Sequence, residues 1–73
     1  MQLQAHRTIA IVVNGEASET RAATLAELIA GLGYDEGRVA TAVNGDFVPK
    51  AARAGTRLAA GDTIEIVAPR QGG

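Results

Sequence analysis

The sequence predicts an α+β fold in which a mixed sheet of four to five strands carries one main helix packed across one face. Three observations predict it. Short runs rich in β-branched residues lie near both ends of the chain, at Thr8–Val13 and Thr63–Ala68. Two Asn-Gly dipeptides, Asn14-Gly15 and Asn44-Gly45, each follow a strand-like segment. A single amphipathic stretch opening at Thr24 stands between the two hairpins they imply.

Thr8–Val13 is too short for a typical helix and reads as the first strand. Asn14-Gly15 suits a type I′ turn, which needs positive φ at both central residues. Glu16–Arg21 then returns as a short polar strand with the character of a sheet edge. Thr24 opens the helix as its N-cap, and Glu27 is placed to reach back to Thr24 in a capping box. Leu25, Leu28, Ile29 and Leu32 recur at i, i+3, i+4 and i+7, so one apolar stripe of a helix of about ten residues faces the sheet. Gly33 suits the left-handed position just past a helix end.

Tyr34–Arg38 reads as a polar connection and Val39–Val43 as the third strand. Asn44-Gly45 leads to a fourth strand at Phe47-Val48, which Pro49 confines to an edge or to a short length. Lys50–Ala60 reads as irregular, with Leu58 as an apolar anchor. Gly61-Asp62 makes a turn, and Thr63–Ala68 is the last strand, ended by the missing backbone donor of Pro69. Ile9, Ile11, Ile64 and Ile66 are the expected partners of the helix stripe, with Val12 and Val67 on the opposite face. Pairing the last strand beside the first gives the β-grasp, or ubiquitin-like, arrangement.

Composition narrows the function classes. The 73 residues make one small domain, 1–73, with 1–6 as a candidate disordered extension and 69–73 as a flexible C-terminal tail. Seven Lys and Arg against eight Asp and Glu, with only Tyr34 and Phe47 as aromatics, offer neither a basic face nor stacking platforms for nucleic acid. There is no Cys, so no disulfide, thiolate metal site or persulfide on this chain. His6 alone builds no metal site and reads as an exposed N-terminal residue. No apolar run reaches the roughly 20 residues of a membrane span and no signal-peptide pattern precedes Thr8, so a cytoplasmic location is expected. No nucleophile–base pair or phosphate loop marks an independent enzyme.

The tail carries the chemistry. Residues Pro69, Arg70, Gln71, Gly72 and Gly73 span at most about 17 Å when extended, enough to enter a partner's cleft. Gly-Gly can thread a narrow channel and bring its backbone close to reacting groups. Small residues also collect at frayed ends. Yet with Gly at 9 of 73 positions, two in succession at the end arise by chance only about 1.5% of the time. An α-carboxylate is anionic at neutral pH and a poor electrophile, so it needs activation. Adenylation by ATP supplies a leaving group that a sulfur nucleophile can displace.

Val13-Asn14-Gly15, Thr24-Leu25-x-Glu27-Leu28, Val43-Asn44-Gly45-x-x-Val48-Pro49-Lys50, Leu58-x-x-Gly61-Asp62-x-Ile64-Glu65-Ile66 and Gly72-Gly73 occur in this order. Together they resemble the ThiS family of thiamine-biosynthesis sulfur carriers over nearly the whole chain beyond Arg7. The resemblance implies a carrier that is a co-substrate rather than an enzyme and binds no cofactor itself. A ubiquitin-activating-like (ThiF-type) adenylyltransferase would adenylate Gly73, using ATP and Mg. A cysteine desulfurase or other persulfide donor would supply sulfur to form a thiocarboxylate, and a ThiG-type thiazole synthase would accept it. Pro69, Arg70, Gln71 and Gly72 become the tail that enters both enzymes. Where family members commonly carry a bulky residue such as Trp after the Pro-Lys/Arg step, this chain has Ala51-Ala52-Arg53.

Two other readings stand beside this one. The small subunit of molybdopterin synthase shares the fold and the Gly-Gly ending, though it usually runs longer. A non-covalent β-grasp interaction module would make no use of the tail. Arg70 is a candidate contact to an acidic or phosphate-bearing region of the activating enzyme. Lys50, Arg53 and Arg57 read as a solvated basic loop. Asn44-Gly45 and Gly61-Asp62 are assigned to turn geometry.

Overall fold

The computed structural model describes residues 7–69. The candidate extension at 1–6 and the tail residues Arg70, Gln71, Gly72 and Gly73 lie outside them. Five strands, β1 (Ile9–Val13), β2 (Glu16–Thr20), β3 (Ala40–Val43), β4 (Asp46–Val48) and β5 (Thr63–Val67), form one sheet. Their order is β2-β1-β5-β3-β4, with β1 and β5 parallel and the other neighbours antiparallel. The helix α1 (Leu25–Gly31) lies across one face, giving the expected β-grasp arrangement with the larger strand count. Both strands read as edges, β2 and β4, are edges.

The two hairpins close as anticipated. Asn14 and Gly15 have φ of 50° and 85°, and Asn44 and Gly45 have 52° and 87°, values that fit type I′ turns. Both asparagines do more than turn the chain. β1 pairs with β5 over only Val12↔Thr63 and Val13↔Ile64 before it bends away at Gly15. Asn14 then takes over with its backbone N–H donating to the Ile64 carbonyl at 2.9 Å. Its side-chain Oδ1 accepts from the Ile66 N–H at 2.8 Å, and its Nδ2 donates to the Ile66 carbonyl at 3.2 Å. The amide thus continues the ladder where the backbone has left it. On the other side of β5, Asn44 Oδ1 accepts from the Thr63 N–H at 2.9 Å and Nδ2 donates to Asp62 Oδ1 at 2.9 Å. Assigning Asn44 to turn geometry alone missed half of its role.

The helix departs from expectation at both ends. Thr24 Oγ1 accepts from the Glu27 N–H at 3.2 Å, but Glu27 Oε1 accepts from the Ala23 N–H at 2.8 Å. The reciprocal bond therefore lands one residue upstream of the expected partner, Thr24. The helix has seven residues rather than about ten, because Gly33 turns left-handed at φ 85°. Gly33 N–H donates to Ala30 O and Tyr34 N–H to Ile29 O, the paired bonds of a Schellman ending. Leu25, Leu28 and Ile29 are buried, but Leu32 stands 49% exposed and is no part of the core stripe. The chain swings away just past it, and Tyr34 packs against the core in its place.

The expected polar connection and the expected irregular segment each contain a 3₁₀ turn, at Glu36–Arg38 and Lys50–Gly55. Asp35 caps the first by accepting from the Gly37 N–H at 3.0 Å. The core comprises Ile11, Leu25, Leu28, Ile29, Val48, Ile64 and Ile66, with Ile9, Leu58 and others packed around it.

Replacing Asn14 by Gly keeps the positive φ without strain and removes only the amide. We expect Asn14→Gly to lower the unfolding free energy by about 1–3 kcal/mol in urea titration, since Ile66 loses both backbone partners. Equal midpoints for variant and wild type would show that the ladder extension contributes nothing.

Candidate functional site

The tail leaves the fold at Pro69, two residues past the end of the central strand. Ala68 and Pro69 are exposed. Of the five expected tail residues Pro69 is placed here, and Arg70, Gln71, Gly72 and Gly73 lie outside the described residues. Two shallow grooves flank this exit. One, of about 500 Å³, is lined by Gly37, Arg38, Val39, Ala40, Val67 and Pro69. The other, of about 360 Å³, is lined by Tyr34, Asp35, Arg38, Val39, Ala68 and Pro69. Arg38 and Val39 contribute to both, so the segment around the first 3₁₀ turn forms a wall beside the tail root.

The sheet face opposite α1 is open, and strand register decides its pattern. Ala42 on β3 lies opposite Phe47 on β4 and opposite Glu65 on β5, while Ala40 lies opposite Val67. Directly paired residues share a face, so these five side chains point away from the helix. Phe47 is 68% and Val67 63% exposed. An apolar strip therefore runs from Phe47 across Ala42 and Ala40 to Val67 and on to Pro69. Val12 is on this face as expected, half-buried beside Ala17 and Thr63. Phe47, Ala42 and Ala40 are members that sequence reading did not place on this face. The signal was available, because Phe47 precedes the inward Val48 and a strand alternates faces.

The basic cluster does not exist as a unit. Lys50 and Arg57 are exposed, but Arg53 is only 3% exposed. Its Nε donates to Thr41 Oγ1 at 3.1 Å, one terminal nitrogen to Glu36 O at 2.8 Å and the other to Val39 O at 2.7 Å. Thr41 Oγ1 in turn donates to Val48 O at 2.8 Å. Carbonyl and hydroxyl oxygens thus take the place of water around the guanidinium, which ties the second 3₁₀ turn to the carbonyls on either side of Arg38. A solvated loop was the expectation; the physical reason for burial is local composition. Within Ala51-Ala52-Arg53-Ala54-Gly55 only Arg53 has a side chain longer than a methyl group, so any packing of this segment must use it. Arg53 therefore holds up the wall of the tail-root grooves.

Among the described residues no group of three or more His, Asp or Glu side chains is placed to hold a metal ion. No helix among them is long and apolar enough to cross a membrane. What the site offers is an exit for a chain end, two flanking grooves and an adjoining apolar face.

Comparison with known proteins agrees with the fold. The sequence model of the ThiS family matches residues 11–73. The fold is similar to the crystal structure of the thiamine biosynthesis protein ThiS from Geobacter metallireducens, with a TM-score of 0.75 and 26% identity. That similarity covers 89% of this chain and 100% of the other. No curated protein gives a significant match.

Arg53→Met keeps the length of the side chain but removes its donors, leaving the carbonyls of Glu36 and Val39 without them. We expect a loss of about 2–4 kcal/mol, against less than about 0.5 kcal/mol for Lys50→Met or Arg57→Met on the exposed surface. Thermal or urea unfolding of the three variants side by side checks the contrast. Equal stability for all three would return Arg53 to the solvated loop.

Proposed function

The chain belongs to the ThiS family, and on that premise we propose that it is the sulfur carrier of thiamine (thiazole) biosynthesis, acting through the carboxylate of Gly73. The observation that carries the proposal is that the family match continues through the tail to Gly73, beyond a strand that ends at the surface. The tail then delivers a reactant, and the catalytic groups belong to the enzymes that receive it.

A ThiF-type adenylyltransferase takes Gly73 with Mg-ATP, forming the acyl-adenylate and releasing pyrophosphate. Sulfur from cysteine, delivered as a persulfide by a desulfurase or other donor, attacks the carbonyl through its outer sulfur and displaces AMP. A second thiol then cleaves the S–S bond of the acyl disulfide, leaving a thiocarboxylate on Gly73 and a disulfide on the donor. A ThiG-type thiazole synthase accepts that sulfur. Pro69, Arg70, Gln71 and Gly72 thread the clefts of both enzymes. Two glycines at the end suit this, since their backbone can approach the nucleotide without side-chain conflict. ATP and Mg belong to the adenylating enzyme, and the expected setting is the cytoplasm.

Intact-mass and C-terminal fragment analysis after incubation with host lysate, ATP and cysteine tests the proposal. The expected change is one oxygen replaced by sulfur, placed on Gly73 by fragmentation and absent when Gly73 is deleted. Thiol-selective alkylation separates it from oxidation of Met1, which has nearly the same nominal mass. An unmodified Gly73, in a lysate that thiolates a known carrier, would instead favour a non-covalent interaction module.

A further inference from the structure

The open face contains a notch that tail chemistry does not use. Ala40 and Ala42 form its floor and Phe47, Glu65 and Val67 its walls, around a volume of about 130 Å³. Register puts Phe47 and Glu65 on opposite sides of Ala42. With neighbouring strands about 4.8 Å apart, the two residues stand roughly 10 Å apart across the alanine. The notch thus has one aromatic wall, one carboxylate wall and a floor of methyl groups.

We infer that this notch receives an arginine side chain from the adenylating enzyme that takes the tail. The arginine's alkyl stem lies on the two alanines, as long charged side chains do on apolar surface. Its guanidinium meets the Phe47 ring and the Glu65 carboxylate together. A planar, delocalised cation stacks and forks in ways a lysine ammonium cannot, so arginine is the better occupant. Arg38 of this chain lines the neighbouring groove and is not among the notch-lining residues.

Position brings an enzyme that receives Gly73 to this face, and the adenylating enzyme is the one that takes the unmodified carboxylate. Gly73 lies four residues beyond Pro69, a reach of at most about 14 Å. Any cleft that holds Gly73 must belong to a protein seated against the surface around Pro69. The apolar strip begins there, with Val67 and Ala40, and leads directly to the notch. Glu65 then determines specificity. Covered by a purely apolar surface it would be a desolvated, unpaired carboxylate, which is strongly unfavourable. A surface lacking the cation is rejected by that cost. The inference rests on the sulfur-carrier reading and adds the docking chemistry to it.

The test is ATP–pyrophosphate exchange by the purified ThiF-type enzyme of the same host, measured against concentration of the full-length carrier. For Glu65→Gln we expect KM to rise about tenfold or more, with kcat within about twofold and a flatter salt dependence of kcat/KM. Phe47→Leu, which keeps apolar bulk but loses the ring, is expected to raise KM by a smaller factor. Glu65 is exposed in the free carrier, so unchanged thermal unfolding of Glu65→Gln separates docking from folding. Glu65→Gln with the KM and salt slope of the wild type would overturn the arginine notch while leaving the sulfur-carrier reading intact. A wild-type carrier that supports no exchange would overturn both.

Discussion

The structure depends on keeping the backbone of one central strand paired on both sides. β5 lies between β1 and β3, and its parallel neighbour accompanies it for only two residue pairs. A parallel ladder that short would leave Ile66 without partners inside the sheet, and buried backbone groups rarely go unpaired. The side-chain amide of Asn14 supplies both missing partners at once. Asn44 performs the matching task at the opposite end of β5 through Thr63 and Asp62. Each asparagine therefore meets two demands, a left-handed backbone in its own turn and an amide for a strand elsewhere in the chain. Glycine satisfies the first and alanine neither.

Fixing β5 in this way sets what happens on both of its faces. Inward, Ile64 and Ile66 meet Leu25, Leu28 and Ile29 of the short helix, making the core. Outward, the same register lines up Phe47, Ala42 and Glu65 in one row and Ala40 with Val67 in the next. The open face is thus the reverse side of the core. A shift of β5 by one residue would exchange the two sets, because strand side chains alternate. Continuing past Val67, β5 also gives the tail its point of departure. One strand therefore sets core, face and exit together.

Arg53 shows how a small domain can organise a loop with little apolar material. Its segment consists otherwise of alanine and glycine and cannot build a core contribution of its own. A single guanidinium with donors pointing to Thr41, Glu36 and Val39 ties its own loop to one stretch of chain, from Glu36 to Thr41. Burying a charge this way is tolerable because each of these donors has a partner. The stretch it stabilises, around Arg38, borders the tail root. Stability of the fold and the shape of the grooves beside the tail root thus meet in one residue.

Much of this was legible in the sequence, and the dividing line is physical. Turn conformation, helix capping, the alternation of a strand and the effect of proline are local properties that a few neighbouring residues decide. On that basis the sequence by itself determined both type I′ hairpins and the N-cap at Thr24, while the mixed sheet was expected from the arrangement of elements as a whole and the family from a resemblance in the order of short motifs. The length of the helix was overestimated, since Leu32 continues the apolar period but falls where Gly33 already ends the helix. The roles of Asn14, Asn44 and Arg53, and the placing of Phe47 and Glu65 on either side of Ala42, were decided only by tertiary structure. Asn14 meets Ile66 across 52 residues and Arg53 meets Glu36 across 17. Contacts at such separations depend on strand order and register, which no local pattern encodes.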